Sequence, residues 1–250
     1  MNNSTTRFSD RVENYVKYRP GYPLSIIPYL EEKTGLNKEK IIADIGSGTG
    51  LSAELFLKNG NKVYCIEPNK EMREAGEKFL EKYKYFKSVN ATAEDTLLEN
   101  DSMDIIVCGQ AFHWFDTEKC KVEFARILKE NGYVVLIWNE RNVMGSELMS
   151  DYENLLRKFG TDYDKVTQQD ERVNESIKTF FGERGFNVKT IESHQDFDSE
   201  GFKGRLLSSS YVPKNNEEML KELKALFEKH KNEGLIRFEY HTKIYTGQLK

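Results

Sequence analysis

The sequence predicts an α/β fold: a doubly wound sheet, mostly parallel with an antiparallel last strand, and helices on both faces. Three observations carry this prediction. Short β-rich apolar runs alternate with longer amphipathic stretches over residues 36–140, the rhythm of a parallel sheet wrapped by helices. The first of those runs ends in an acid and three alternating glycines that lead at once into a helix. The 250 residues also include 2 Trp, 13 Tyr and 15 Phe, large apolar side chains able to repay the entropy of ordering one large domain.

Residues 1–35 lie ahead of the first apolar run and are read as a helical cap outside the sheet. The alternation then places strands at Ile41–Ile45, Lys62–Glu67, Tyr85–Val89, Met103–Gly109 and Tyr133–Trp138, with helices at Leu51–Asn59, Lys70–Lys82 and Thr117–Lys129. Glu130-Asn131-Gly132 reads as a left-handed cap ending the third of these helices. After Trp138 the rhythm changes: helical patterns at Ser146–Lys158 and Asn174–Phe181 enclose a polar loop. Strand signal returns at Phe186–Ser193 and Leu235–Tyr245, separated by helical segments at Glu200–Ser208 and Asn216–Glu233. One domain over 1–250 follows, with a core at 36–140, helical lid insertions at 141–185 and 197–233, and the last two strands at 186–196 and 234–246. The insertions are expected to cover the carboxyl ends of the early strands, where ligands of open sheets bind.

Charge and composition exclude several classes. With 37 Lys plus Arg against 41 Asp plus Glu the net charge is −4, which argues against a partner bound by neutralising phosphates, so no nucleic acid is expected. No apolar run approaches the ~20 residues of a membrane-spanning helix, so no membrane association is expected. Met1–Asp10 is polar, without the apolar core of a secretory signal. Cys65, Cys108 and Cys120 are odd in number, lack metal-ligand spacing, and fall largely in predicted buried strands. They read as reduced core residues in a cytoplasmic protein, and no metal is expected.

The segment Ile41-Ile42-Ala43-Asp44-Ile45-Gly46-Ser47-Gly48-Thr49-Gly50 carries the chemistry. Glycine permits the tight strand-to-helix turn and leaves no Cβ to obstruct a nucleoside, while the helix start offers N–H groups. Glu67 ends the next strand about twenty residues on, where a carboxylate can accept two hydrogen bonds from a ribose diol. The ligand is therefore of adenosine type. A dinucleotide fingerprint spaces its glycines Gly-x-Gly-x-x-Gly and rests a pyrophosphate on the helix. Here the pattern is Asp-x-Gly-x-Gly-x-Gly, and Asp44 would repel an anion but suit the cationic amino group of a methionine moiety.

With these motifs the chain resembles the class I methyltransferases dependent on S-adenosylmethionine (SAM), whose fold is Rossmann-like. Ala91-Thr92-Ala93-Glu94 and Ser102-Met103-Asp104-Ile105-Ile106-Val107 are similar to that family's adenine-binding turn and fourth strand. Cys108-Gly109-Gln110-Ala111-Phe112-His113-Trp114-Phe115-Asp116 is similar to its approach to the active site. Tyr15-Val16-Lys17-Tyr18-Arg19-Pro20-Gly21-Tyr22-Pro23, taken with Ala111–Asp116, resembles a small-molecule branch that includes trans-aconitate methyltransferase-like proteins. The match covers roughly residues 8–140.

The resemblance implies SAM as cofactor and a small-molecule acceptor. It puts Asp44, Gly46, Ser47, Gly48 and Gly50 around the methionine end, Glu67 and Pro68 at the ribose, and Thr92, Ala93 and Glu94 around the adenine, with Asp95 an alternative to Glu94. Gln110 and Ala111 would line the approach to the methyl group, and Tyr18 and Arg19 would close over the SAM carboxylate. His113 and Trp114 follow the fourth strand, where His113 suits a general base or substrate partner and Trp114 substrate positioning. Packing beneath the next helix is the competing reading for both. On the substrate side stand Tyr15, Arg205 and Tyr211, the last two in the polar cluster with Ser208, Ser209 and Ser210. Two other functions stay open at this level: a nucleotide-dependent oxidoreductase, and a SAM-binding module without catalysis. Oligomeric state is open too.

Overall fold

The structure, a computed structural model, describes residues 16–161, 163, 174–213 and 215–250. Tyr15 lies outside the described residues. Seven strands form one sheet: β1 (Ile41–Ile45), β2 (Lys62–Ile66), β3 (Phe86–Val89), β4 (Met103–Gly109), β5 (Leu128–Arg141), β6 (Phe186–Phe197) and β7 (Ile236–Gly247). Their order is β3-β2-β1-β4-β5-β7-β6. β1 to β5 pair in parallel, whereas β7 runs antiparallel to both β5 and β6. The expected mixed sheet with its antiparallel last strand is thus observed.

Helices α1 (Ile26–Thr34), α2 (Leu51–Asn59), α3 (Lys70–Leu80) and α4 (Thr117–Ile127) cover the parallel half, and α5 (Glu147–Phe159), α6 (Ser199–Leu207) and α7 (Glu217–His230) follow. Residues 174–181 are also helical. Side-chain caps start several of these helices. Asn69, Asp116, Ser146, Asp198 and Asn216 each accept a hydrogen bond from the backbone N–H three residues on, which meets one of the donors that a helix start leaves unpaired.

The core has three parts. Ile42, Phe56, Val63, Ile105 and Val135 pack with Ile26 and Leu30 in one group, and Ile45, Ile106, Phe112, Phe124, Leu136 and Phe180 in another. Since neighbours along a strand point to opposite faces, Ile105 and Ile106 fall in different groups, as do Val135 and Leu136. The third part joins Met149, Tyr152 and Leu156 of α5, Phe202 and Leu206 of α6, Leu223 and Phe227 of α7, and Ile236, Phe238 and Tyr240 of β7. Cys65, Cys108 and Cys120 are free thiols, all buried. Among the described residues no helix is long and apolar enough to cross a membrane.

Two expectations need correction. α4 ends at Ile127, not at a cap over residues 130–132. Leu128 is already extended and fully buried, and it pairs with Met103 of β4, so the sheet ladder captures the chain early. Asn131 does take the left-handed conformation, at φ +64°, but inside β5, where the pairing register with β4 shifts. Second, β5 is much longer than Tyr133–Trp138. Its pairing with β4 stops at Gly109 opposite Ile137, yet it continues through Trp138, Asn139 and Glu140 to Arg141 on β7 alone. This overhang reaches past the ends of the parallel strands and shapes the site below.

Candidate functional site

A cleft of about 790 Å³ opens at the carboxyl ends of the parallel strands, a size that suits a small ligand. β1 sits there between β2 and β4, and the helices that follow those strands diverge, which leaves a crevice at the switch in strand order. The cleft wall contains Gly46, Ser47 and Gly48 after β1, Glu67 and Pro68 after β2, and Thr92, Ala93 and Glu94 after β3. Gln110, Ala111, His113 and Trp114 after β4 belong to it as well, as do Arg19, Arg205 and Tyr211. Residues scattered over nearly two hundred positions therefore meet at one surface.

The three loop glycines have different physical reasons. All adopt positive φ, at +68°, +56° and +85° for Gly46, Gly48 and Gly50. A Cβ on Gly46 would stand 2.5 Å from Ala111 Cβ, and one on Gly50 would stand 2.5 Å from Leu80 Cδ1. Internal packing thus excludes a side chain at both. At Gly48 the nearest atom to such a Cβ is the flexible Met72 methyl at 3.3 Å, so the space is held clear at the cleft. Gly50 stands behind the loop, outside the cleft wall, where it begins α2.

Glu67 fixes this loop. Its Oε2 accepts from Gly48 N at 2.9 Å and its Oε1 from Asn69 N at 2.8 Å, and Gly46 N and Ser47 N donate to Ile66 O. Each carboxylate oxygen keeps acceptor capacity for a ligand diol. Burial raises the Glu67 pKa against the effect of those two N–H groups.

Asp44 stands one layer deeper and is not part of the cleft wall; Ser52, which is, donates to its Oδ2 at 2.6 Å. Asp44 Oδ1 is buried without a hydrogen-bond partner among the described residues. Burial pushes the carboxyl up to about 7, with the Ser52 hydroxyl and the nearby Ala53 backbone N–H opposing the rise and the Glu67 charge adding to it. An orphaned buried acceptor behind a polar wall is a site for a cation, reached directly or through a water.

On the opposite lip, Gln110 holds a left-handed backbone at φ +60° at the end of β4, and its Nε2 donates to Asn139 O. Strain of this kind at a cleft marks a position the surroundings over-determine. The next residues form a short 3₁₀ turn, Phe112–Trp114. Phe112 turns inward against Trp138 and Phe180, whereas His113 and Trp114 are half-buried at the cleft with ring centroids 4.7 Å apart. Phe112 thus packs into the core, whereas His113 and Trp114 line the cleft. Glu94 reaches the cleft and accepts from Asp116 N, while Asp95 is exposed and outside the wall.

Comparison with known proteins agrees with this geometry. Residues 43–136 match the family described as the methyltransferase domain. An uncharacterized methyltransferase of Schizosaccharomyces pombe is 31% identical over 139 residues, 54% of this chain and 53% of that protein. The chain spans about half the length of the curated relatives it matches. A protein of Anaeromyxobacter dehalogenans designated a type II methyltransferase shares the fold, with a TM-score of 0.73, 18% identity and coverage of 93% of this chain and 98% of that one. So does a Haemonchus contortus phosphoethanolamine N-methyltransferase solved with S-adenosylhomocysteine, with a TM-score of 0.53, 14% identity and coverage of 97% and 58%. Residues 43–136 are thus similar to a methyltransferase domain.

The matched residues 43–136 account for one end of the cleft only. Tyr18 is not in the cleft wall. Its ring belongs to the third core and fills the space a Cβ on Gly204 would need, and its hydroxyl donates to Glu200. Arg19, beside it, does reach the cleft and donates to Ser208 O at 3.1 Å. The far end is built by residues that sequence reasoning missed: Arg141 on the β5 overhang, Glu153 and Arg157 on α5, and Tyr163. Arg141 donates to Tyr211 Oη at 3.1 Å, to Glu153 Oε2 at 3.3 Å and to Tyr163 Oη at 2.5 Å, and Tyr163 in turn donates to Glu153 at 2.6 Å. The available signal was the length of β5. Extending that strand by three residues would have carried Arg141 toward the polar cluster at Arg205–Tyr211.

Proposed function

We propose that the chain is a SAM-dependent methyltransferase acting on a small-molecule acceptor, a carboxylate on the weight of the trans-aconitate methyltransferase-like resemblance, and that it works in the cytoplasm. The observation that carries this reading is a single cleft with two differently built ends. One end combines the open Gly48 backbone, the buried Glu67 carboxylate and the orphaned Asp44 oxygen. The other is lined by Arg141, Arg205 and Tyr211.

These residues fit SAM by their chemistry. Asp44 and the Gly46–Gly48 backbone would hold the methionyl ammonium end, Arg19 the carboxylate, Glu67 and Pro68 the ribose, and Thr92–Glu94 the adenine. Gln110 and Ala111 would line the approach to the methyl group, with Tyr18 assigned by resemblance to the closure beside Arg19 and Tyr15 to the substrate side. SAM supplies an activated methyl group when bound. The chain's task is then to hold a nucleophile in line with it, and positioning of that kind contributes on the order of 7 to 11 kcal/mol. α5, α6 and α7 act as the lid that keeps water from the acceptor.

His113 and Trp114 stand where the acceptor would approach. A carboxylate nucleophile needs no base, whereas a hydroxyl, amine or carbon acid would use His113. His113→Ala is expected to leave turnover within about threefold in the first case and to lower it by about 10²-fold or more in the second. The deciding experiment is isothermal titration of the protein with SAM, S-adenosylhomocysteine and NAD, with thermal melts at saturation. Ligand at about 100 times its Kd should stabilise the fold by roughly 2.7 kcal/mol. Saturable SAM binding that Glu67→Ala and Gly48→Val abolish is the expected result; a folded protein that binds NAD and not SAM refutes the reading.

A further inference from the structure

The far end of the cleft carries more positive charge than its own fold neutralises. Arg205 is 3% exposed and lines the cleft. Its hydrogen-bond partners are neutral: Nε donates to Tyr240 Oη at 3.1 Å and Nη1 to Ser209 Oγ at 3.3 Å, with the guanidinium 5.9 Å from the Phe238 ring centre. Among the described residues no carboxylate forms an ion pair with it. Arg141 does meet one, Glu153, but Arg157 takes the other oxygen of the same carboxylate at 3.2 Å. Arg141 and Arg157 therefore share one acid, and Arg205 pairs with none among the described residues.

The local field registers the imbalance. Burial alone would raise the Tyr211 phenol, yet Arg141, Arg205 and Arg19 outweigh it and pull the group down to about 8. A buried guanidinium without a counter-charge is costly, and the cost is recovered when an anion arrives. A cationic acceptor would be repelled and a neutral polyol would leave the charge unmet. A planar fork with fixed donors matches a carboxylate or a phosphate.

We propose that the acceptor carries an oxyanion, a carboxylate or a phosphate, bound between Arg205 and Arg141 beside Tyr211. This deepens the methyltransferase reading and rests on it for the word acceptor; the anion site itself can be measured independently.

The test is isothermal titration of the full chain, with and without saturating S-adenosylhomocysteine. The probes are succinate, citrate and inorganic phosphate, with succinamide as the neutral counterpart of succinate. At least one anion should bind ten times more tightly than succinamide or better. The carboxylate and phosphate arms tell which oxyanion the site prefers. Arg205→Gln should weaken that anion at least tenfold while the S-adenosylhomocysteine affinity stays within twofold, and Arg205→Lys should recover only part of the loss. Anions that bind wild-type protein no better than succinamide overturn the proposal, a comparison that needs no variant to fold. So does a folded Arg205→Gln protein with undiminished anion affinity. Loss of S-adenosylhomocysteine binding in the wild type, with anion binding retained, would instead remove the methyltransferase reading and leave an anion site standing.

Discussion

Asp44 gives a prediction whose sign and size can be worked through. Burial raises its carboxyl from the ordinary range near 4 to about 7 in the fold. A group whose pKa is raised on folding stabilises the native state only while it is protonated. That contribution is whole below about pH 4 and is lost as pH climbs through 7. About three units at 1.36 kcal/mol each come to about 4 kcal/mol, withheld from the unliganded protein above neutrality. A ligand ammonium near the orphaned Oδ1 would draw the carboxyl back to its ionised form and recover part of this energy. At pH 6 about one Asp44 in eleven is ionised, and at pH 7 about one in two, so SAM affinity should rise about fivefold over that unit. Near pH 6 binding should release close to one proton, read by titration in buffers of different ionisation enthalpy. Above about pH 8 the ligand amine loses its own charge and affinity should fall again. Asp44→Asn should erase the acid limb and also flatten the stability profile between about pH 4 and 7. Unchanged proton release in Asp44→Asn would falsify the coupling and move the ammonium elsewhere in the cleft.

Other predictions separate fold from site. Gly48→Ala places a Cβ at positive φ with only the Met72 methyl nearby, so thermal melting should show a cost of about 1–2 kcal/mol while titration shows SAM affinity falling more than tenfold. Gly50→Ala drives its Cβ into Leu80, so melting should fall further, by about 2–5 kcal/mol, with affinity kept in the protein that remains folded. Glu123 is buried, which alone would raise its pKa, but the Arg126 fork and two bonds from Thr96 hold it at about 2. Its stabilisation, about 3 kcal/mol, is present above about pH 4.3 and lost as pH falls through 2. Urea titrations of wild type and Glu123→Gln should converge at low pH. Anion affinity should weaken about tenfold between pH 7 and 9 as the Tyr211 phenol, near 8, ionises among Arg141, Arg205, Arg19, Tyr152, Tyr163, Glu153 and Ser209. Tyr211→Phe should remove that alkaline limb in the same titration.

How much of this was legible beforehand depends on how local each determinant is. The Asp44–Gly50 loop and Glu67 could be read because strand, turn and helix start lie within about ten consecutive residues, and each residue type has a reason that does not depend on distant partners. Even there the sequence treats three glycines alike. Only the structure shows Gly46 and Gly50 fixed by Ala111 and Leu80, with Gly48 alone kept open. The far chamber lies at the other extreme. Arg141, Glu153, Arg205 and Tyr211 come from a strand, two helices and a turn, and no spacing links them. What joins them is the β5 overhang, which outlasts β4 because β7, antiparallel, keeps pairing with it as far as Tyr240. Apolar alternation, the sequence signal of a strand, fades at Asn139. Yet Asn139 is itself held in the sheet, with Thr242 Oγ1 donating to its Oδ1 at 2.6 Å and its Nδ2 donating to Gly21 O. A polar residue that satisfies its hydrogen bonds across strands extends a sheet as well as an apolar one does. In this chain that extension carries a guanidinium from the sheet into the cleft, so the features hardest to read from sequence are those that would choose the acceptor.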